Sequence, residues 1–240
     1  MSKLEGIPQV IEFDPFSQEA SAAHNLGEAV YLADARIFRY GKSALGSTKG
    51  HLQTAPAHDT ALDNLTVTAA VVHGGTEISI TPGATTAVAG AFDEGYMIVN
   101  DNDGEGQTYK IRHNPAIAST TTFILSLFDP INVALTTSSQ VSLFHNTYSN
   151  VIEATSVTAQ PAGVPLVTLA SGYYGWLQTH GVASVLCGTT GTLGALGMAA
   201  ATGAVTDMTD VTAPETEYWV GRFVVAGVST EYRPFFLTID

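Results

Sequence analysis

Charge of either sign is scarce in this chain. Charged residues make up 13% of it, about half the share of an ordinary soluble domain. Lys and Arg number 9 against 22 Asp and Glu, a net charge of −13, and such a balance argues against a general nucleic-acid binder. The single cysteine, Cys187, excludes an intrachain disulfide and reads as a small buried hydrophobe. No stretch approaches the roughly 20 apolar residues of a membrane span, and the start, MSKLEGIPQVIEF, lacks a secretion signal's apolar run. Leu193 to Val205, the nearest candidate span, is short and full of Gly and Thr. A soluble protein made in a cytosol is expected, without a membrane or nucleic-acid partner.

Chemical motifs are scarce too. Gly41-Lys42-Ser43 would need a Gly five positions earlier to cradle phosphate, and that position holds Arg36. Asp101-Asn-Asp-Gly-Glu-Gly starts like a calcium loop, but the position that needs a bidentate Glu is Arg112. It reads as an acidic hairpin turn with room for a weak cation. The 7 histidines show no HExxH and no close ligand pair, although His51 and His58 could meet in a loop. No G-x-S-x-G elbow is present. The expectation is a non-enzymatic protein with no catalytic residue, cofactor or metal.

What the chain does have is strand and turn chemistry. Thr with Val and Ile favours strands, and 23 Gly and 10 Pro supply turns. The fold class read from this is all-β, with β-sandwich or barrel-like domains and an extended N-terminal arm. Ser171 to Leu186, SGYYGWLQTHGVASVL, is the stretch the rest is organised around. It reads as an aromatic hairpin that turns at His180-Gly181 and returns through Val182 to Leu186.

Residues 1–30 mix Pro8 and Pro15 with scattered apolar side chains and read as an arm that gains order on its own domain or on a neighbouring subunit. One or two helical turns are expected in SQEASAAHNL, with Ser17 as cap. A strand is expected over Arg36 to Tyr40. Residues 64–146 form a run of short strands with regular turns: Leu65–Val72 and Thr76–Thr81 around His73-Gly74-Gly75, Tyr96–Asn100 and Gln107–Arg112, Thr121–Phe128, and Gln140–His145. They read as a sandwich or barrel inserted into a base domain of residues 31–63 and 147–240. In that base, Val151–Val157 and Val164–Leu169 are expected strands, Pro161 and Pro165 bracket a turn, and Tyr218–Ala226 with Glu231–Ile239 makes a last hairpin.

Contact residues are sought where apolar or basic side chains concentrate against the composition. Ile7, Ile11, Phe13 and Phe16 are the arm's apolar anchors. Arg36, Arg39, Lys42 and Lys49 place four of the 9 basic residues within fourteen positions, and the cluster reads either as a patch that docks on an acidic surface or as an ordinary solvated face.

Several strings, in order, are similar to capsid decoration (cement) proteins and other small virion structural proteins of tailed bacteriophages. They are Arg36-Ile-Phe-Arg-Tyr-Gly-Lys, Gly95-Tyr-Met-Ile-Val-Asn-Asp with Gly104-Glu-Gly-Gln-Thr-Tyr-Lys-Ile, Asp129-Pro-Ile-Asn-Val-Ala-Leu-Thr-Thr-Ser-Ser, Gly163-Val-Pro-Leu-Val, Gly172-Tyr-Tyr-Gly-Trp-Leu-Gln-Thr-His-Gly, and the ending Thr230-Glu-Tyr-Arg-Pro-Phe-Phe-Leu-Thr-Ile-Asp. The resemblance spans about residues 36–240. It implies a homotrimer on the outer surface of an icosahedral head, bound to the major capsid protein and clamping neighbouring subunits. The competing readings are a tail- or fibre-associated structural protein or carbohydrate-binding adhesin, and a hydrolytic virion enzyme, which would need a cleft with perturbed carboxylates.

Overall fold

The computed structural model of the protein describes residues 13–156, 160–208 and 218–240. Strands come in three runs. β1 (Gln18–Glu19), β2 (Ala29–Tyr31), β3 (Ile37–Lys42) and β4 (Gln53–Thr54) open the chain. β5 (Leu65–Val67), β6 (Glu77–Thr81), β7 (Tyr96–Asp101), β8 (Thr108–His113), β9 (Phe123–Leu127) and β10 (Gln140–Phe144) follow. β11 (Ile152–Glu153), β12 (Pro161–Pro165), β13 (Tyr174–Leu186), β14 (Leu196–Ala199), β15 (Val205–Asp207), β16 (Trp219–Phe223) and β17 (Tyr232–Thr238) complete it. The protein is all-β, with antiparallel pairing throughout its named strands.

The middle run closes into a barrel in the order β10-β5-β6-β9-β8-β7. Closure follows from strict alternation: Ile78 and Ile80 on β6, Tyr109 and Ile111 on β8, and Phe123, Leu125 and Leu127 on β9 all point into one buried cluster. Every strand then has two neighbours, and no open edge remains to aggregate.

The other two runs form an eleven-stranded sheet around β13, which is 13 residues long. β13 pairs with β3 from Tyr174 to His180 and with β17 from His180 to Leu186, so His180 has a partner in both strands. β1 meets β13 at Tyr174 and Gly175, and β12 meets it at Leu177 and Gln178. β1 and β2 fall within the stretch expected as an arm, so residues 18–31 contribute to the sheet.

The expected hairpin at His180-Gly181 is therefore corrected to one continuous strand. Gly181, at φ +86, bends the strand instead of reversing it, and a register shift between Gln178 and His180 marks the spot. The expected helical turns after Ser17 are absent too. Ser17 donates from its hydroxyl to the carbonyl of Asp14 at 2.9 Å, and the next two residues pair with β13. Pro161 and Pro165 bracket a strand, not a turn. Pro165 turns its carbonyl to the Gly50 amide at 2.9 Å, so it lies between the ladder bonds to β13 and its missing N–H costs nothing there.

Trp176, near the start of β13, is sealed by aromatic neighbours. Phe13 lies edge-on to it at 5.1 Å, Tyr40 at 5.2 Å and His24 tilted at 5.1 Å. Barrel and sheet are stitched by Asn146, whose buried amide donates to the carbonyls of Leu26 (3.2 Å) and Glu94 (3.1 Å). Its carbonyl accepts from the Tyr148 amide at 2.9 Å.

Candidate protein-contact surface

The bend in β13 opens a groove. Past Gln178 the strand swings away from β12, and the space between them, about 520 Å³, is lined by Phe16, Arg36, Lys49, Leu166, Val182 and Tyr232 among others. Gly50 closes the far end, taking the Leu186 amide on its carbonyl and donating to the carbonyl of Pro165, both at 2.9 Å. Phe16 is 65% exposed on one wall and Val182 53% exposed on the floor. The walls are apolar, the rim carries two cations, and strand backbone forms one side.

This groove gathers three of the eight contact residues read from the sequence. Phe16 stands at the groove, fixed by the turn in which its amide donates to the Asp14 carboxylate at 2.9 Å. Arg36 and Lys49 come from opposite ends of the basic cluster and meet on the rim. Arg36 holds Asp34 at 2.8 Å, and the Arg36 hydrogen bonds keep that carboxyl below its ordinary value.

The remaining five are not brought together. Phe13 is a core side chain, packed on Phe38 and Trp176. Arg39 turns inward to Asp240 and to the carbonyl of Gly27. Lys42 sits 5.6 Å above the ring of Tyr174. Ile7 and Ile11 lie outside the described residues. The fourteen-residue basic cluster is therefore no single patch. Strand β3 alternates its side chains between faces, and the loop after it carries Lys49 around the molecule.

Arg39 borders a second, polar cleft of about 330 Å³ between barrel and sheet, lined also by Asn25, Tyr96, Lys110, Asn146 and Tyr148. Burial pushes the Tyr148 hydroxyl up to about 12, so it stays protonated at neutral pH.

The other sequence candidates separate in space. His51 hydrogen-bonds the Tyr232 hydroxyl at 3.0 Å and faces Glu153. His58 pairs with Asp63 at 2.9 Å and stacks on Phe144. The two histidines do not meet, because each is claimed by a neighbour on a different body. In the acidic turn, Asp101 accepts from the adjacent Asn102 amide, and Asp103 accepts from the hydroxyl of Thr136, 33 residues on. Among the described residues no three His, Cys, Asp or Glu side chains gather where a metal ion could sit.

Sequence reasoning missed Gln178, Val182 and Tyr232. Gly181 was the available signal: a glycine inside a strand pattern marks a bulge or bend as readily as a turn.

No protein-family model, no curated protein and no solved structure matches the chain.

Proposed function

We propose that the protein is a non-enzymatic virion structural protein that seats on the outer surface of an icosahedral phage head. There it binds major capsid subunits and holds neighbours together, as a homotrimer. The observation that carries this reading is the distribution of exposed apolar side chains. Tyr31 on the sheet and Phe16, Leu45 and Leu193 in its connecting segments, with Ile124 on the barrel and Val72 and Val88 in its loops, are each more than half exposed. A chain with 13% charged residues has few Lys and Glu to desolvate, and interface cores are depleted in those two residues. Three copies around a rotation axis present each contact three times, so modest contacts add by avidity.

The test is occupancy. Heads assembled without the protein are mixed with the purified chain, imaged by cryo-electron microscopy and heated. The expected result is added density at symmetric surface positions and a higher temperature of head rupture. Bare heads at saturating protein would end the proposal.

A second reading, an adhesin on tail or fibre, has one observation in its favour. Trp219 is 57% exposed beside the exposed Tyr218, and an open aromatic face is a platform for sugar stacking. Trp176 is fully buried and offers none. Protection of Trp219 from acrylamide by a saccharide would favour this reading.

A further inference from the structure

Among the described residues, strand β13 lacks a partner strand along half of one edge. Residues Gly181 to Leu186 pair with β17 alone among the described strands. The phase of that pairing is set by the Ile239 amide, which donates to the carbonyl of Thr179 at 3.0 Å. Odd-numbered residues therefore face β17, and Val182 and Ser184 aim their backbone groups into the groove. Two of the carbonyls on that side are already taken: the Gln178 side chain donates to His180 at 2.9 Å and to Val182 at 3.0 Å. The Leu186 amide is taken by Gly50. Between these caps the amides of Val182 and Ser184 have no acceptor among the described residues, and they face a space with apolar walls.

We propose that this edge accepts an extended, acidic segment of another polypeptide, added as a short strand alongside Val182–Ser184. Main-chain bonds to the two amides hold such a strand, and alternate side chains settle against Val182, Leu166 and Tyr232. Charge selects the partner. In a chain of net −13 this groove carries Arg36 and Lys49 on its rim. Asp34 is bonded to the Arg36 Nε, and Lys49 has no ion pair among the described residues. Acidic residues flanking the added strand meet both cations. The occupant's identity as a head protein rests on the function proposed above; its chemistry does not.

The test uses the full chain and two synthetic peptides, Ac-TEVEIET-NH2 and Ac-TKVKIKT-NH2, with amide hydrogen exchange read at Val182 and Ser184. The acidic peptide at millimolar concentration is expected to slow both amides at least about fivefold, and the basic peptide to leave them unchanged. The double variant Arg36→Glu, Lys49→Glu, checked for an unchanged melting curve, is expected to reverse that preference. No protection by either peptide, or equal protection by both, overturns the proposal. Self-association of the chain that this variant abolishes also overturns it, since the strand would then come from a second copy. Ser184→Pro removes one donor without touching the β17 ladder. If wild-type protein decorates heads and this variant does so equally well, the groove is not the head contact, although the head reading stands. If wild-type protein leaves heads bare, the head reading fails, and the peptide experiment still decides the groove.

Discussion

Arg39 and Asp240, 201 residues apart in the chain, are joined by two hydrogen bonds, Nε to Oδ2 at 3.0 Å and Nη2 to Oδ1 at 3.1 Å. The pair sits where the pairing of β13 with β3 ends and its pairing with β17 begins. Thr179 of β13 donates its hydroxyl to the same carboxylate at 2.6 Å. Three strands are thus tied at the point where the central strand changes partner.

Burial alone would raise the Asp240 carboxyl, but the hydrogen bonds from Arg39 and Thr179 outweigh it and hold the group below its ordinary value. A carboxylate with a depressed folded pKa adds stability above its unfolded pKa, near 3.9, and loses it as pH falls through the folded value. Asp240→Asn should therefore cost about 1–2 kcal/mol at pH 7, the pair being partly solvated. The gap from wild type should shrink below about pH 3.9. Urea unfolding at pH 7 and pH 3 measures both, and an equal gap at the two pH values would contradict the assignment.

Trp176 and Trp219 are expected to report opposite environments. Trp219→Phe should leave a protein whose remaining emission is blue-shifted and poorly quenched by acrylamide, since Trp176 is enclosed by Phe13, His24 and Tyr40. Trp176→Phe should leave a readily quenched emission. Trp176→Ala should destabilise by about 3–5 kcal/mol, the usual cost of emptying a large aromatic site.

Gly221, at φ +148, brings its Cα against the neighbouring strand. A Cβ there would stand 1.9 Å from the Phe236 carbonyl oxygen. Gly221→Ala should therefore separate β16 from β17 and cost at least about 2 kcal/mol through clash and strain together. Faster exchange of the Phe223 and Phe235 amides, with the barrel amides unchanged, would localise the damage.

The barrel was the more legible half. Its strands alternate cleanly and its turns carry Gly and Asn, so Tyr96–Asp101 and Thr108–His113 stand where period-two patterning puts them. Around β13 local pattern misled, because His180-Gly181 has turn chemistry while β3 and β17, far away in sequence, carry the chain on as one bent strand. The groove was less legible still. Arg36 and Lys49 stand out as basic in an acidic chain, but their meeting depends on the bend at Gly181 and on the Gly50 loop. Arg39 and Lys42 share the same sequence cluster and go elsewhere.

Asn146 should be the most sensitive polar position at the junction. Asn146→Ala removes three hydrogen bonds and leaves the Leu26 and Glu94 carbonyls without this donor. A loss of about 1–3 kcal/mol is expected. Hydrogen exchange should rise at the Tyr148 amide while the barrel interior stays protected.

His145 supplies a pH dependence of its own. Its ring stacks on Phe92 at 4.2 Å between centroids. Burial lowers its pKa below the ordinary 6.5, against the opposing hydrogen bond to the carbonyl of Ala91. The folded protein therefore keeps this ring neutral at pH values where the unfolded chain protonates it. Stability from this site is complete above pH 6.5 and falls as pH drops from there toward the folded pKa. Replacing His145 with Asn removes the titration, so the slope of unfolding free energy between pH 6.5 and pH 5 should flatten relative to wild type. An NMR titration of the ring should give a midpoint below that of a model histidine. A midpoint at or above the ordinary value would mean that the stack on Phe92 admits water and that the barrel's end is open.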